Sequence, residues 1–255
     1  MVGTTNGEGS APNVFLWEMT RRQAREGIDS GRIRAAVVPL GSTEQHNEHL
    51  HMIHDTASAL LVAGRAARAL YPAVIVATPL AIGVSEHWMD HKGTLTTRPE
   101  IFAELLFDVC DSLRRAGITR LLALNGHAGN IQPVRERLDD LRARLGPGVD
   151  LRFHSYWEAY TPELIAAQMT SGNCPGHASE FETSFALAAF PERVEWEGVD
   201  YDRARLTISI PERAKQDRAF HEEAKLATAA KGAAMIDAAV TWTIARLKDL
   251  LRDPV

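Results

Sequence analysis

Short apolar runs alternate with segments of helical periodicity along most of the chain. The apolar runs are rich in Val, Ala, Leu and Ile and predict four strands, at residues 33–40, 73–77, 118–124 and 149–153. Continuous apolar runs of this length are typical of strands buried on both faces. The pattern therefore predicts a sheet that is covered on both sides.

The segments between these runs have apolar residues at helical spacing. They predict helices from the Thr20 cap to about Ile28, at residues 56–70 and 99–115, and after Asn130 to about Leu145. Repeated strand-then-helix units predict an α/β fold with a mainly parallel sheet. Residues 13–255 are expected to form one domain, after a small, polar and disordered tail at residues 1–12.

Polar loops follow the first three predicted strands. They are the segment from Ser42 to Asp55, the long loop at residues 79–98, and the run from Asn125 to Asn130. Ligands of open α/β sheets bind beyond the carboxyl ends of the strands. Since the strands are parallel, we expect all three loops to meet at that edge.

The loop after the first strand carries the strongest chemical signal. Four of the ten histidines lie between His46 and His54. Glu44 and His46 are two residues apart, so an extended backbone would direct both side chains to one face, and Asp55 follows nine residues after His46. Imidazole and carboxylate ligands together can bind zinc or manganese. The alternative is a polar surface loop whose histidines have no such role.

A fourth polar loop, at residues 172–184, runs into another segment of helical spacing. It contains His177, Glu180 and Glu182 close to the predicted start of a helix, where backbone N–H groups favour anions. Glu182 there could simply complement the helix dipole. The run from Gly176 to Glu180 requires more than helix capping to explain it.

Composition excludes several classes of protein. The net charge of -5 and the isoelectric point near 6.1 argue against a nucleic-acid-binding surface. No apolar run approaches the roughly 20 residues of a membrane span. Cys110 and Cys174 are too few for a disulfide framework, so we expect reduced thiols in a cytoplasmic protein.

Three motifs together resemble the creatininase (creatinine amidohydrolase) family. They are Gly41-Ser42-Thr43-Glu44-Gln45-His46 with Asp55, then Asn125-Gly126-His127-Ala128-Gly129-Asn130, and finally His177-Ala178-Ser179-Glu180-Phe181-Glu182-Thr183-Ser184. The order, the offset of eleven from Glu44 to Asp55 and the positions at strand ends all agree with the family pattern. The resemblance spans roughly Trp17 to Phe190.

The resemblance implies a three-layer α/β/α fold with two divalent metal ions per chain (Zn, Mn or Fe), usually assembled as a homohexamer. It implies that Glu44 and His127 bind one ion, that His46 and Glu180 bind the other, and that Asp55 bridges them. Glu44 and His177 are the candidate catalytic residues. His177 would transfer a proton to the leaving group, or else support the site through a hydrogen bond.

The chain departs from the family pattern in the loops expected to face the substrate. Candidate substrate-binding residues are Ser85, His87, Trp88, His91 and Lys92 in the second loop and Trp157 after the fourth strand. Since the ligand motifs are kept while these loops differ, we expect hydrolysis of a different substrate from creatinine.

Three functions remain open from the sequence. The first is a dinuclear metal-dependent hydrolase of a small cyclic amide, a formamide or a peptide-type substrate. The second is carbon–carbon bond hydrolysis of a cyclic diketone derived from a keto-inositol, for which Lys92, His91 and His54 are suited. The third is a non-catalytic small-molecule-binding subunit, against which the presence of all five expected ligands argues.

Overall fold

Four parallel strands form the centre of the fold. In the computed structural model, which describes residues 11–197, 199 and 211–252, they are β1 (Ala35–Leu40), β2 (Val74–Val76), β3 (Arg120–Asn125) and β4 (Asp150–Ser155), in the order β2-β1-β3-β4. Leu40 pairs with Asn125, and Asn125 with Ser155, so three strands end side by side. The predicted tail falls mainly on residues 1–10, which lie outside the described residues.

Nine α-helices of the described residues surround this sheet. They are α1 (Arg21–Asp29), α2 (His54–Ala69), α3 (Pro99–Arg115), α4 (Ile131–Arg135), α5 (Leu138–Leu145), α6 (Pro162–Gln168), α7 (Glu180–Ala189), α8 (Pro211–Ala224) and α9 (Ala229–Arg252). Thr20 caps α1 through a reciprocal capping box with Gln23, as the sequence pattern indicates. The helix expected after Asn130 is divided into α4 and α5, and α6, α8 and α9 are additional to the predicted elements.

The apolar core has two halves, one on each face of the sheet. Alternate residues of β1 divide between them, with Val37 in the half that contains α2, α7 and α9 and Val38 in the half that contains α3 and α5. All six residues of β1 are buried. This arrangement confirms the predicted α/β/α layering and the continuous apolar character of the strands.

Helix α9 packs very closely against α7. A Cβ atom at Gly232 would overlap the backbone carbonyl of Ser184, so only glycine fits at this crossing. The contact matters for function because α7 follows the loop that carries His177. No helix within the described ranges is long and apolar enough to cross a membrane.

Candidate metal centre and active site

The loop after β1 folds back on itself and buries Glu44 and His46. The Glu44 N–H donates to the carbonyl of Met52, and Nδ1 of His46 donates to the carbonyl of Glu44 at 3.1 Å. Because the carbonyl can only accept, Nδ1 of His46 carries a proton. Nε2 of His46 then faces Asp55, whose Oδ1 is 3.0 Å away.

Asp55 and His127 reach the same point from two other segments. Asp55 lies in the first turn of α2, and His127 follows β3. A Cβ atom at Gly126 would come within 2.5 Å of the Asp55 carbonyl oxygen, so the glycine allows the β3 loop to approach α2. Nδ1 of His127 lies 3.0 Å from Asp55 Oδ2 and 3.4 Å from Glu44 Oε1.

His127 is oriented in the same way as His46. Its Nε2 lies 3.0 Å from the carbonyl oxygen of Val84, to which it donates. Both histidines therefore use one ring nitrogen on a backbone carbonyl and direct the other at Asp55. Such outer hydrogen bonds fix the tautomer of metal-binding histidines.

Glu182 lies in this cluster of side chains, whereas Glu180, the ligand predicted from the sequence, does not. Oε2 of Glu182 lies 3.7 Å from Nε2 of His46, and its carboxylate falls in one potential metal-binding group with His46 and Asp55. The carboxylate of Glu180 lies elsewhere, accepting from Lys231 and from the backbone N–H groups of Thr170 and Ser171. Glu180 is therefore already fully paired.

The donor set fits divalent metal ions. Three overlapping groups of side chains could each hold a metal ion, because the ligand atoms within each group lie within 4.8 Å of one another. The groups are Glu44, His87 and His127; Glu44, His46 and His177; and His46, Asp55 and Glu182. Ligand atoms bound at roughly 2.1 Å to one ion are about 3.0–3.4 Å apart. Three of the observed separations, at 3.0, 3.0 and 3.4 Å, match that spacing, and the separation of 3.7 Å between His46 and Glu182 is slightly longer.

The charge of the site also favours cations. The three carboxylates of Glu44, Asp55 and Glu182 are buried, and no ion pair among the described residues joins any of them to lysine or arginine. Oε2 of Glu44 is buried and has no hydrogen-bond partner within the described part of the chain. Three buried carboxylates without a lysine or arginine partner are costly, so divalent ions would supply the missing positive charge.

The pKa values of these groups reflect the crowding. Burial, and then the charge of Asp55, raise the pKa of Glu44 to about 7. Burial likewise raises the pKa of Glu182 to about 8. For Asp55 burial acts in the same direction, but His46 and His127 outweigh it and hold its pKa below the usual range. Three carboxylates thus compete for ionisation in one small volume.

His177 lies beside these ligands in a defined orientation. The backbone N–H of Asn47 donates to Oε1 of Gln45 at 2.8 Å, which turns the Gln45 amide NH₂ toward Nε2 of His177, also at 2.8 Å. Nε2 must accept this bond, so the ring proton lies on Nδ1. Nδ1 faces Oε1 of Glu44 at 3.8 Å, and burial lowers the pKa of His177, which keeps the ring neutral.

A cavity of about 100 Å³ opens beside the ligands. Of the candidate substrate-binding residues, His87, Trp88 and Trp157 line it, together with the candidate catalytic residues Glu44 and His177. Trp88 stacks on His177 with ring centroids 4.5 Å apart. The cavity is therefore lined by aromatic rings as well as by carboxylates.

Ser85, His91 and Lys92 do not line the cavity, contrary to the expectation from their loop. Ser85 is buried behind His127, hydrogen-bonded to Ser42 at 2.6 Å, and Lys92 is exposed. His91 is held by Asp90 and by Asp217 of α8, whose Oδ2 is 2.9 Å from its Nε2. His54 is also outside the cavity, buried within α2 and 3.3 Å from the Ser58 hydroxyl.

Three residues of the site were not expected from the sequence: Glu182, Gln45 and Arg213. Gln45 lies between two expected ligands and looks like a spacer, while for Glu182 the sequence leaves open a role in the site or as a complement to the helix dipole. Arg213 lies in α8, far along the chain from every motif, and its guanidinium is 4.7 Å from the centroid of the Trp88 ring. Only the first two had a signal in the sequence, namely their places in the motifs.

Buried carboxylates and histidines at the carboxyl ends of the strands thus form a candidate metal centre. The model of the creatininase family, described as creatinine amidohydrolase, matches residues 17–247. The chain therefore belongs to the creatininase family and is an enzyme of the hydrolase class.

Several characterised proteins are similar in sequence. A mycofactocin precursor peptide peptidase from Mycobacterium ulcerans is 32% identical over 165 residues, which cover 62% of this chain and 59% of that protein. A Pseudomonas putida creatinine amidohydrolase is 26% identical over 200 residues, covering 73% and 76%. A 3-dehydro-scyllo-inosose hydrolase from Thermotoga maritima is 26% identical over 187 residues, covering 72% and 59%.

Solved structures agree on the fold. A crystal structure of creatinine amidohydrolase has a TM-score of 0.76 at 21% identity, covering 94% of this chain and 99% of that one. A structure described as creatininase with Mn has a TM-score of 0.75 at 21% identity, covering 95% of this chain and 100% of its own. The predicted creatininase-like architecture is confirmed.

Proposed function

We propose that this protein is a dinuclear metal-dependent hydrolase that cleaves a carbon–nitrogen bond of a small amide or of a peptide-type substrate. The observation that carries the proposal is the convergence of Glu44, Asp55 and Glu182 with His46 and His127, all buried and without a lysine or arginine counter-charge among the described residues. Such a donor set suits Zn, Mn or Fe better than Mg or Ca.

In this proposal Glu44 and His127 would hold one ion, His46 and Glu182 would hold the other, and Asp55 would serve both. When bound, two neighbouring divalent ions lower the pKa of a shared water and polarise a carbonyl. The protein's own contribution is to fix these ligands by backbone hydrogen bonds and to keep bulk water out of the cavity.

His177 is suited to donate a hydrogen bond from Nδ1 to the reacting group of the substrate, the second of the two roles expected for it. The ring is neutral, its protonated Nδ1 faces the cavity carboxylate Glu44, and Gln45 fixes this tautomer through Nε2. Because loss of this proton from a neutral ring would leave an imidazolate, His177 would keep the proton and stabilise developing negative charge as a hydrogen-bond donor.

The cavity limits which part of a substrate can enter. Its volume of about 100 Å³ is well below the roughly 300–1,000 Å³ of pockets that enclose a whole drug-sized ligand. It therefore has room for the reacting amide and its neighbours. Amide cleavage is further supported by similarity to a peptidase and to an amidohydrolase, whereas the inosose hydrolase is a relative of lower identity than the peptidase.

Two measurements test the proposal. Elemental mass spectrometry on protein purified without chelator should find about two equivalents of metal per chain. The metal-loaded protein should cleave members of a short-peptide library, or open the ring of a small cyclic amide with uptake of one water, and mass spectrometry detects either product. Protein that holds no metal would overturn the proposal, and release of carbon–carbon cleavage products from a cyclic diketone would overturn the choice of bond.

A further inference from the structure

Helix α8 forms a wall of the site by direct contact with the loop that carries Trp88. Nη2 of Arg213 donates to the carbonyl oxygen of His87 at 2.6 Å, and the same guanidinium lies over the Trp88 ring. A third contact joins Arg213 Nε to Asp90 Oδ2 at 3.8 Å. The side chain of Arg213 therefore contacts three residues of this loop, namely His87, Trp88 and Asp90.

The same helix also contacts His177 and the loop after β1, which carries Glu44 and His46. Nδ2 of Asn47 donates to the backbone carbonyl of Asp217 at 2.8 Å. The ring of Phe220 meets the His177 ring edge-on, with centroids 5.8 Å apart. Helix α8 thus contacts the loop after β1 through Asn47 and the loop before α7 through His177. Together with the contacts of Arg213, these surround the stacked rings of Trp88 and His177.

We propose that Arg213 is a positioning residue that holds Trp88 against His177 and so closes the cavity over the reacting group. The expected effect on catalysis rests on the proposed function, whereas the closure of the cavity rests on the observed contacts of Arg213 and Trp88. Trp88 is only 4% exposed although it lies in a loop between strand and helix. With Arg213 removed, neither the cation–π contact nor the bond to the His87 carbonyl remains to keep the indole in place.

Arginine has the shape that this role requires. Its planar guanidinium can lie over an aromatic ring and donate at its edge to a carbonyl at the same time. Lysine carries the same charge but concentrates it at one ammonium, so it can make only one of these contacts well. Arg213→Lys should therefore retain part of the closure and Arg213→Met little of it.

The test measures how accessible Trp88 is in the metal-loaded, full-length protein. Acrylamide quenching of fluorescence is recorded for the wild type, Arg213→Met, Arg213→Lys and Lys215→Met, each with and without Trp88→Phe. The difference within each pair reports Trp88 alone. Lys215 is exposed on the same helix, so its variant controls for loss of a positive charge.

We expect the quenching constant of Trp88 to rise several-fold in Arg213→Met, to rise less in Arg213→Lys and to stay unchanged in Lys215→Met. On a substrate identified as above, kcat should fall about tenfold in Arg213→Met while metal content is unchanged. Unaltered Trp88 quenching in both Arg213 variants, or an equal rise in Lys215→Met, would overturn the proposal. Should Arg213→Met fail to fold, the Arg213→Lys comparison decides. Because quenching requires no turnover, a failure of the proposed hydrolysis would be seen separately.

Discussion

Oδ1 of Asp55 lies 3.0 Å from Nε2 of His46, while its other carboxylate oxygen is directed at His127 at the same distance. One carboxylate thus faces both halves of the candidate centre. This is the arrangement that a bridging ligand requires.

Asp55→Ala is therefore expected to lower metal content more than any other single ligand change and to reduce hydrolysis to background. Loss of a carboxylate shared by both ions should weaken the binding of both, whereas loss of a ligand to one ion should weaken the binding of that ion alone. Metal equivalents per chain measured after gel filtration test this, with Asp139→Ala, almost fully exposed on α5, as the control. If Asp55→Ala still holds two metal ions, the carboxylate does not bridge.

The neighbouring glutamates of α7 should behave in opposite ways. Glu182→Gln should lose about one equivalent of metal, because its carboxylate belongs to the group of His46 and Asp55. Glu180→Gln should keep both ions but lower the free energy of unfolding by about 1–3 kcal/mol, because it weakens charge-assisted hydrogen bonds with Lys231 and the 170–171 backbone. The reverse result for metal content would restore Glu180 as the ligand.

Gln45→Leu should reduce kcat by roughly ten- to a hundredfold without loss of metal. Without the amide donor, the His177 ring can carry its proton on either nitrogen, so less of the protein holds it on Nδ1. The ¹⁵N chemical shifts of His177, assigned with His177→Asn, would report the tautomer directly. Gln132→Leu, which changes an exposed glutamine on α4, is the matched control. An unchanged kcat together with an unchanged tautomer would show that Gln45 does not orient the ring.

The stability of the protein should depend on pH through His49. Burial, and then the charge of His221, lower the pKa of His49 to about 3, and its Nε2 is hydrogen-bonded to the Thr183 hydroxyl at 2.8 Å. The folded state keeps this ring neutral, whereas the unfolded chain takes up a proton below about pH 6.5. Stability from His49 is therefore fully present above pH 6.5 and is lost as the pH falls toward 3.

Between pH 7.5 and 5 this loss amounts to about 2 kcal/mol. Urea unfolding of the wild type and of His49→Gln at both pH values measures the contribution of His49, because the other titratable groups are the same in both proteins and cancel in the difference. The stability advantage of the wild type should shrink by that amount at pH 5. A difference between the two proteins that is the same at both pH values would contradict a neutral, buried His49.

The resemblance also predicts a homo-oligomer, most often a hexamer in the family. Light scattering at micromolar concentration measures this directly. A particle of 28 kDa, the mass of one chain, would contradict the prediction.

The sequence by itself determined the four strands, most of the helices that connect them and the edge of the sheet at which the candidate site lies. Apolar runs such as β1 are buried on both faces, and parallel strands end on one side whatever their side chains are. Glu44, His46 and Asp55 could be identified because they lie within one short loop and the next helical turn. His127 could be identified because it directly follows a strand.

Tertiary structure alone decided which side chains converge on the candidate metal centre and which line the cavity. Glu180 and Glu182 are two residues apart on a helix, which rotates them about 200° from one another, so only the packing of α7 against α2 and α9 selects the inward one. Spacing along the loop likewise could not separate Trp88, which faces the cavity, from His91, which faces Asp217. Arg213 reaches the site only because α8 folds back over a loop more than a hundred residues earlier, a contact that no local pattern encodes.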